Sequence, residues 1–229
     1  MGFSLFRKAQ KRPDNMLPDG WQFYSRPTNL EPPGTIFRID PEGKRFIVDR
    51  LKPVVDAGLE PGASKVESIE AKAGVLARLV GLQPLSANVS AGAARVLEYE
   101  IKDPIRESTT DMQMDAVLKP YLAKMEFRPN QQYYVIREAR SATAMKYQLS
   151  NEQLGEIGGE ATVNAVVDAS VKLSAKRGGH YELAHAFPER LGVMFLPEEI
   201  APVRAGLGAG PAEFGRVPVK HALEWVEPE

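Results

Sequence analysis

Residues 160–187 (EATVNAVVDASVKLSAKRGGHYELAHAF) constrain the fold more than any other stretch, because their side chains alternate in character over a long run. On the first arm Ala161, Val163, Ala165, Val167, Ala169, Val171, Leu173 and Ala175 are apolar. Thr162, Asn164, Asp168, Ser170, Lys172, Ser174 and Lys176 between them are polar, with Val166 the one exception. A period of two is what a strand with one buried face requires. With Gly178-Gly179 as the turn, the segment reads as one long amphipathic β-hairpin whose tip carries Lys176 and Arg177.

The rest of the composition narrows the class. At 229 residues, 43% hydrophobic and 26% charged, the chain is that of a globular protein that buries a core. Its net charge is -1 and no basic stripe is interleaved with aromatics, so nucleic acid is not an expected partner. The absence of cysteine excludes disulfides, thiolate metal sites and cysteine nucleophiles. In MGFSLFRKAQKR the apolar residues precede the charges, the reverse of a secretory signal, and no stretch approaches the roughly 20 apolar residues of a membrane helix. The expected location is cytoplasmic.

Along the chain, Phe3, Leu5 and Phe6 beside Arg7, Lys8, Lys11 and Arg12 form a basic amphipathic arm over 1–16. It suits an anionic membrane surface, but so short a run is more simply an ordinary solvated arm. Trp21, Phe23 and Tyr24 read as a core plug. TIFRID and KRFIVD, joined by Pro41-Glu42-Gly43, predict a hairpin with Gly43 left-handed and a basic, solvent-facing rim of Arg38, Lys44, Arg45 and Arg50. Val66, Ile69, Ala73, Leu76, Leu79 and Val80 fall at helical spacing and predict a helix over 66–82. Residues 85–101 (LSANVSAGAARVLEYEI) alternate again, with Val89 and Leu97 on the apolar face. A helix over 108–127, with Met112, Val117, Leu118, Tyr121, Leu122 and Met125 on one face, is expected to be split by Pro120. Strands are expected at 132–140 and 144–149, a short helical turn after Ser150, and a short buried strand at 190–196 between Pro188 and Pro197. Residues 205–211 (AGLGAGP) read as a linker, and Leu223, Trp225 and Val226 as a tail able to dock back.

Residue chemistry is sparse. His180 and Glu182 share a strand face, the best start for a metal site, but His185 points the other way on a strand and diverges on a helix. No G-x-S-x-G or phosphate loop occurs, and Glu98/Glu100 and Glu198/Glu199 read as solvated charges. No catalytic residue, metal or cofactor is assigned. The tip cations and the small-residue face fit a strand that meets lipid in a closed barrel, and fit as well a long strand packed on a helix in a soluble domain.

The order of these segments resembles the N-terminal pore-forming domain of the gasdermins. It runs from an N-terminal hairpin through a helix, LSANVSAGAARVLEYEI, a helical excursion, NQQYYVIREARSATAMKYQL, the long hairpin TVNAVVDASVKLSAKRGGHYELAHAF and the closing LGVMFL, covering 35–196. The resemblance implies a soluble, autoinhibited protein whose two amphipathic segments rearrange into membrane hairpins of an oligomeric β-barrel pore. Activation would come from removing a C-terminal cover, here 205–229. Bacterial relatives often carry a lipidated cysteine near the N-terminus, which this chain lacks, and its tail is shorter than a folded repressor domain.

The expected architecture is α+β: a twisted, mostly antiparallel sheet with long amphipathic hairpins and two or three packed helices, one domain over 1–204 and a linker with tail over 205–229. The leading functional reading is a non-enzymatic, membrane-acting protein, a gasdermin-like pore former and possible homo-oligomer with membrane lipids as partner. Its membrane-contacting residues would be Phe3, Leu5, Phe6, Val89, Leu97, Val163, Val167, Val171, Leu173, Lys176 and Arg177, with Leu223, Trp225 and Val226 as an autoinhibitory tail. The alternatives are a soluble module that binds a protein partner through its hairpins, and a metal-dependent enzyme built on His180 and Glu182.

Overall fold

A computed structural model describes residues 20–60, 66–71, 95–156, 159–160, 171–176, 178–203, 213–219 and 223. Two antiparallel strands, β8 (Gln132–Ser150) and β10 (His180–Val203), run the length of the molecule as a spine. The other strands are β1 (Gln22–Thr28), β2 (Thr35–Ile39), β3 (Arg45–Arg50), β4 (Asp56–Leu59), β5 (Val66–Ala71), β6 (Arg95–Lys102), β7 (Ile105–Ser108), β9 (Val171–Lys176) and β11 (Glu213–Pro218). They flank the spine in three successive tiers of one branched sheet. The upper tier runs β5-β6-β8-β10-β9, the middle β4-β7-β8-β10-β1, and the lower β3-β2-β8-β10-β11. Among the described residues there are two helices, α1 (Asp111–Leu122) and α2 (Asn151–Glu156), so the architecture is α+β with far more strand than helix.

The hairpin of β2 and β3 forms as its sequence dictates: Gly43 sits at φ 77°, where glycine carries no Cβ penalty, and its N–H donates to Asp40 O at 2.9 Å. Its rim is not wholly solvated. Arg45 is buried, paired with Glu31 and stacked 4.1 Å from the Phe37 ring centroid.

Several expectations are corrected. Val66–Ala71 is a strand paired with β6, not the start of a helix; residues 72–82 lie outside the described residues. Val and Ile there suit either state, and the backbone partner at Arg95–Lys102 decides it. The helix around Pro120 is not split: α1 is a single helix with Pro120 in its last turn. Thr110 caps it, with Gln113 N–H donating to Thr110 Oγ1 at 3.3 Å and Thr110 N–H donating to Gln113 Oε1 at 2.9 Å. That start places Met114, Leu118 and Leu122 on the buried stripe and leaves Met112 80% exposed. The expected strands at 132–140 and 144–149 are one strand. The short strand at 190–196 is the middle of β10, which runs through both prolines because register shifts absorb them. Pro197 follows one such shift and Pro188 lies inside another, the positions where a residue without an N–H is tolerated.

The core has three parts. In the lower tier, neighbouring residues of β2 and β8 alternate faces: Ile36, Tyr133 and Val135 pack under α1, while Phe37, Tyr134 and Ile136 face the opposite way with Phe195. Val219 and Leu223 of the tail cover that second face, so α1 and the tail sandwich the sheet. Trp21, Phe23, Tyr99, Met145, Tyr147, Leu149 and Leu183 form the third cluster, under the upper tier.

Candidate functional site

The upper tier divides into an apolar and a polar face, residue by residue. Register sets Leu173 opposite Leu183, Leu183 opposite Tyr147, and Tyr147 opposite Tyr99, one apolar row across four strands. Val171, His185, Met145 and Ile101 form the next row. The alternate rows are polar but for Ala184: Ser174, Glu182, Gln148 and Glu98, then Lys172, Ala184, Lys146 and Glu100. Lys176 Nζ lies 3.3 Å from Glu182 Oε2, and Lys146 Nζ 3.6 Å from Glu100 Oε2, on the polar side.

The hairpin tip is seated on α2. Gly178 and Gly179 take φ 83° and 76°, and Gly179 O accepts a hydrogen bond from Asn151 N–H at 3.2 Å. The positive φ is what calls for glycine at Gly179; a Cβ there would also lie 3.0 Å from the Asn151 side-chain nitrogen, which would have to shift. Ser150 and Gln153 cap α2 reciprocally, at 2.8 and 3.2 Å. The apolar face is covered by Leu154 of α2 and by Trp21 and Phe23; Phe23 meets Tyr99 edge-on with centroids 5.1 Å apart. Trp21 and Phe23 are thus core, as their sequence suggests, and Tyr24 is buried against Phe195.

Of the expected membrane-contacting residues, Val171 and Leu173 lie on the apolar face, partly buried against the upper core, and Lys176 is exposed on the polar face. The backbone of Leu97 is in β6, opposite Ile69. Phe3, Leu5, Phe6, Val89, Val163, Val167 and Arg177 lie outside the described residues, as do the linker 205–211, Trp225 and Val226. Leu223 is buried, but around Phe37, Tyr134 and Phe195 in the lower tier, not on the β9–β10 hairpin. Its N–H donates to Gln22 Oε1 at 3.1 Å.

The tail is fastened by a network that the sequence did not signal. Arg216 of β11 pairs with Glu198 of β10, with Asp115 at 2.9 Å and with Asp111 at 3.2 Å, both of α1. Arg137 of β8 reaches Glu198 at 3.2 Å. Glu198 is therefore a buried, paired carboxylate and not a solvated one. Burial opposes the charge on Arg216, but Glu198 and Asp115 outweigh it and raise its pKa. Phe214 stacks on Phe127, centroids 3.9 Å apart.

His180 and Glu182 share the polar face, yet among the described residues no three His, Asp or Glu side chains gather to hold a metal ion. No helix among the described residues is long and apolar enough to cross a membrane, which says nothing of strands.

No family profile matches the chain, and no curated protein does. Among solved structures the chain is similar to a bacterial gasdermin from Bradyrhizobium tropiciagri, at 21% identity over 87% of each chain and a TM-score of 0.49.

Proposed function

We propose that this chain is a non-enzymatic, membrane-acting protein of the gasdermin-like pore-forming type, held soluble until activated. The observation that carries the reading is the split of the β9–β10 hairpin into one apolar and one polar face, in register with the same split on β8 and β6. A membrane barrel needs strands of about 9–11 residues that alternate in this way. In sequence, the apolar positions of β9 continue back to Ala161. In the soluble form Trp21, Phe23 and Leu154 cover the apolar face; in a barrel of several copies lipid takes their place and the polar face lines the lumen. Val163, Val167, Val171 and Leu173, with Val89 and Leu97 of the second segment, would meet lipid. Phe3, Leu5, Phe6, Lys176 and Arg177 would meet the anionic surface. The tail would restrain the change through Leu223, Trp225 and Val226, from the far end of the spine.

The test is dye release from anionic liposomes before and after limited proteolysis in 205–211, with Arg216→Met included because a clipped tail can stay docked through Arg216. Leakage that appears on clipping and rises further with Arg216→Met supports the reading; none from either form counts against it.

A second reading, a module that binds a protein partner, is favoured by one feature. The edge strands β3 and β4 and the segment between them expose Ile47, Val48, Val54 and Leu59 at 38%, 37%, 64% and 72%. Apolar edges of this kind, with no second strand partner among the described residues, invite strand addition.

A further inference from the structure

The upper tier is separated from the middle tier by breaks on both sides of β8, at the level of Thr143. On one side β6 ends at Lys102, opposite Ala144, and β7 begins at Ile105, opposite Ser141. Between them Asp103 adopts φ 50°, a left-handed conformation unfavourable for a residue with a Cβ, and Pro104 follows without an N–H to donate. On the other side Ala186 pairs with Ala144, but the next paired residue, Leu191, meets Ala142. Phe187, Pro188, Glu189 and Arg190 thus stand against Thr143 alone, and β10 holds more chain than the ladder uses. Of the two strands that cross this line, β10 does so through its bulge and β8 through the small residues Ser141, Ala142 and Thr143.

One side chain joins the two breaks. Arg190 Nη1 donates to the carbonyl oxygens of Asp103 and Ser141, reaching from the bulge of β10 across β8 to the kink beyond it. Thr143 Oγ1 donates to Asp103 Oδ2 at 3.1 Å, and Asn29 Nδ2 holds the bulge through Glu189 Oε1 at 3.1 Å. Arg190 also lines a pocket of about 180 Å³ with Thr28, Asn29 and Gly192, which gives its guanidinium room to leave the carbonyls.

We propose that this line is a hinge. The upper tier turns as a unit against the lower two, Arg190 clamps it, and residues 187–190 supply the slack for the movement. The geometry alone carries the hinge; its use, to free the two-faced hairpin for a bilayer, rests on the function proposed above. A left-handed residue on one side of β8 and, at the same level on the other, a bulge that sets four residues against one concentrate bending there, since the two further register shifts of β10, at Gly192/Met194 and Leu196/Pro197, each leave only one residue out of the ladder.

The chain has no cysteine, so a pair of introduced cysteines carries spin labels unambiguously. Labels at Met112→Cys on α1 and Lys172→Cys on β9, both exposed, span the hinge. Double electron–electron resonance in solution, without lipid, is expected to give one narrow distance with Arg190 intact and a second population in Arg190→Ala. Hydrogen exchange at Tyr99, Tyr147 and Leu183 is expected to quicken about tenfold, as for the loss of one charge-assisted bond, with Tyr134, Val135 and Ile200 unchanged. An unchanged narrow distance, or protection lost equally in all tiers, overturns the hinge. If Arg190→Ala does not fold, Arg190→Gln is read by the same criteria. Because no membrane is present, a failed leakage assay leaves the hinge standing, and an unchanged distance removes it whatever vesicles do.

Discussion

Arg216 on β11 and Glu198 on β10 form an ion pair whose side chains are only 9% and 7% exposed, which makes it the main polar fastening of the tail to the spine. Removing one member leaves the other buried and under-compensated. Arg216→Met is expected to lower unfolding free energy by about 3 kcal/mol, read by urea denaturation, with Glu198→Gln/Arg216→Met recovering part of the loss.

Acid should loosen the same region. Burial of Asp115 opposes its ionisation, but hydrogen bonds and charge from Lys119 and Arg216 prevail and hold its carboxyl below 3.8. A depressed carboxylate contributes fully above its unfolded value and loses that contribution as pH falls through the folded value. Stability should therefore fall below pH 3.8, and Asp115→Asn should shrink that fall while costing some stability at neutral pH.

Alkali should act on the upper core. Burial raises the Tyr147 phenol well above 10.0, so the folded chain keeps a proton that the unfolded chain releases. The contribution is intact below pH 10.0 and declines as pH rises above it. Tyr147→Phe should lessen that decline by about 1.4 kcal/mol per pH unit. At neutral pH the variant gives up the contact of the hydroxyl with Met145 Sδ at 3.4 Å, a loss of about 1 kcal/mol or less.

Gly192 is where the end of β1, at Thr28, pairs with β10. A Cβ there would sit 2.7 Å from Thr28 O and 3.2 Å from the Tyr24 ring, and the first contact is backbone that cannot rotate away. Gly192→Ala should cost about 1–3 kcal/mol in thermal or urea unfolding. Gly58→Ala, with open space at its Cβ, is the control.

The hairpin turns were legible because their chemistry is local: Gly43 and Gly178-Gly179 need positive φ, and the sequence puts glycine there. The long strands were legible only in pieces. Ser141-Ala142-Thr143 has no hydrophobic alternation to link the two halves of β8, and Pro188 and Pro197 punctuate β10 where register shifts in fact absorb them. Val66–Ala71 read as helix because Val66 and Ile69 are three apart, a helical spacing that sets them on opposite faces of a strand, and because its strand partner begins 24 residues beyond its end, at Arg95. Glu198 read as a solvated charge because its partners arrive from β11 and β8, neither of them near it in sequence. The two faces of the hairpin were visible as alternation; what covers the apolar one, Leu154 with Trp21 and Phe23, was not.

Insertion of the hairpin can be followed directly by placing one environment-sensitive fluorophore at a time on Val171→Cys, Lys172→Cys, Leu173→Cys and Ser174→Cys and adding anionic vesicles to tail-clipped protein. The account predicts blue-shifted, brighter emission that alternates, with positions 171 and 173 in lipid and positions 172 and 174 in water. Emission that stays the same at all four positions, or shifts at all four alike, would contradict it.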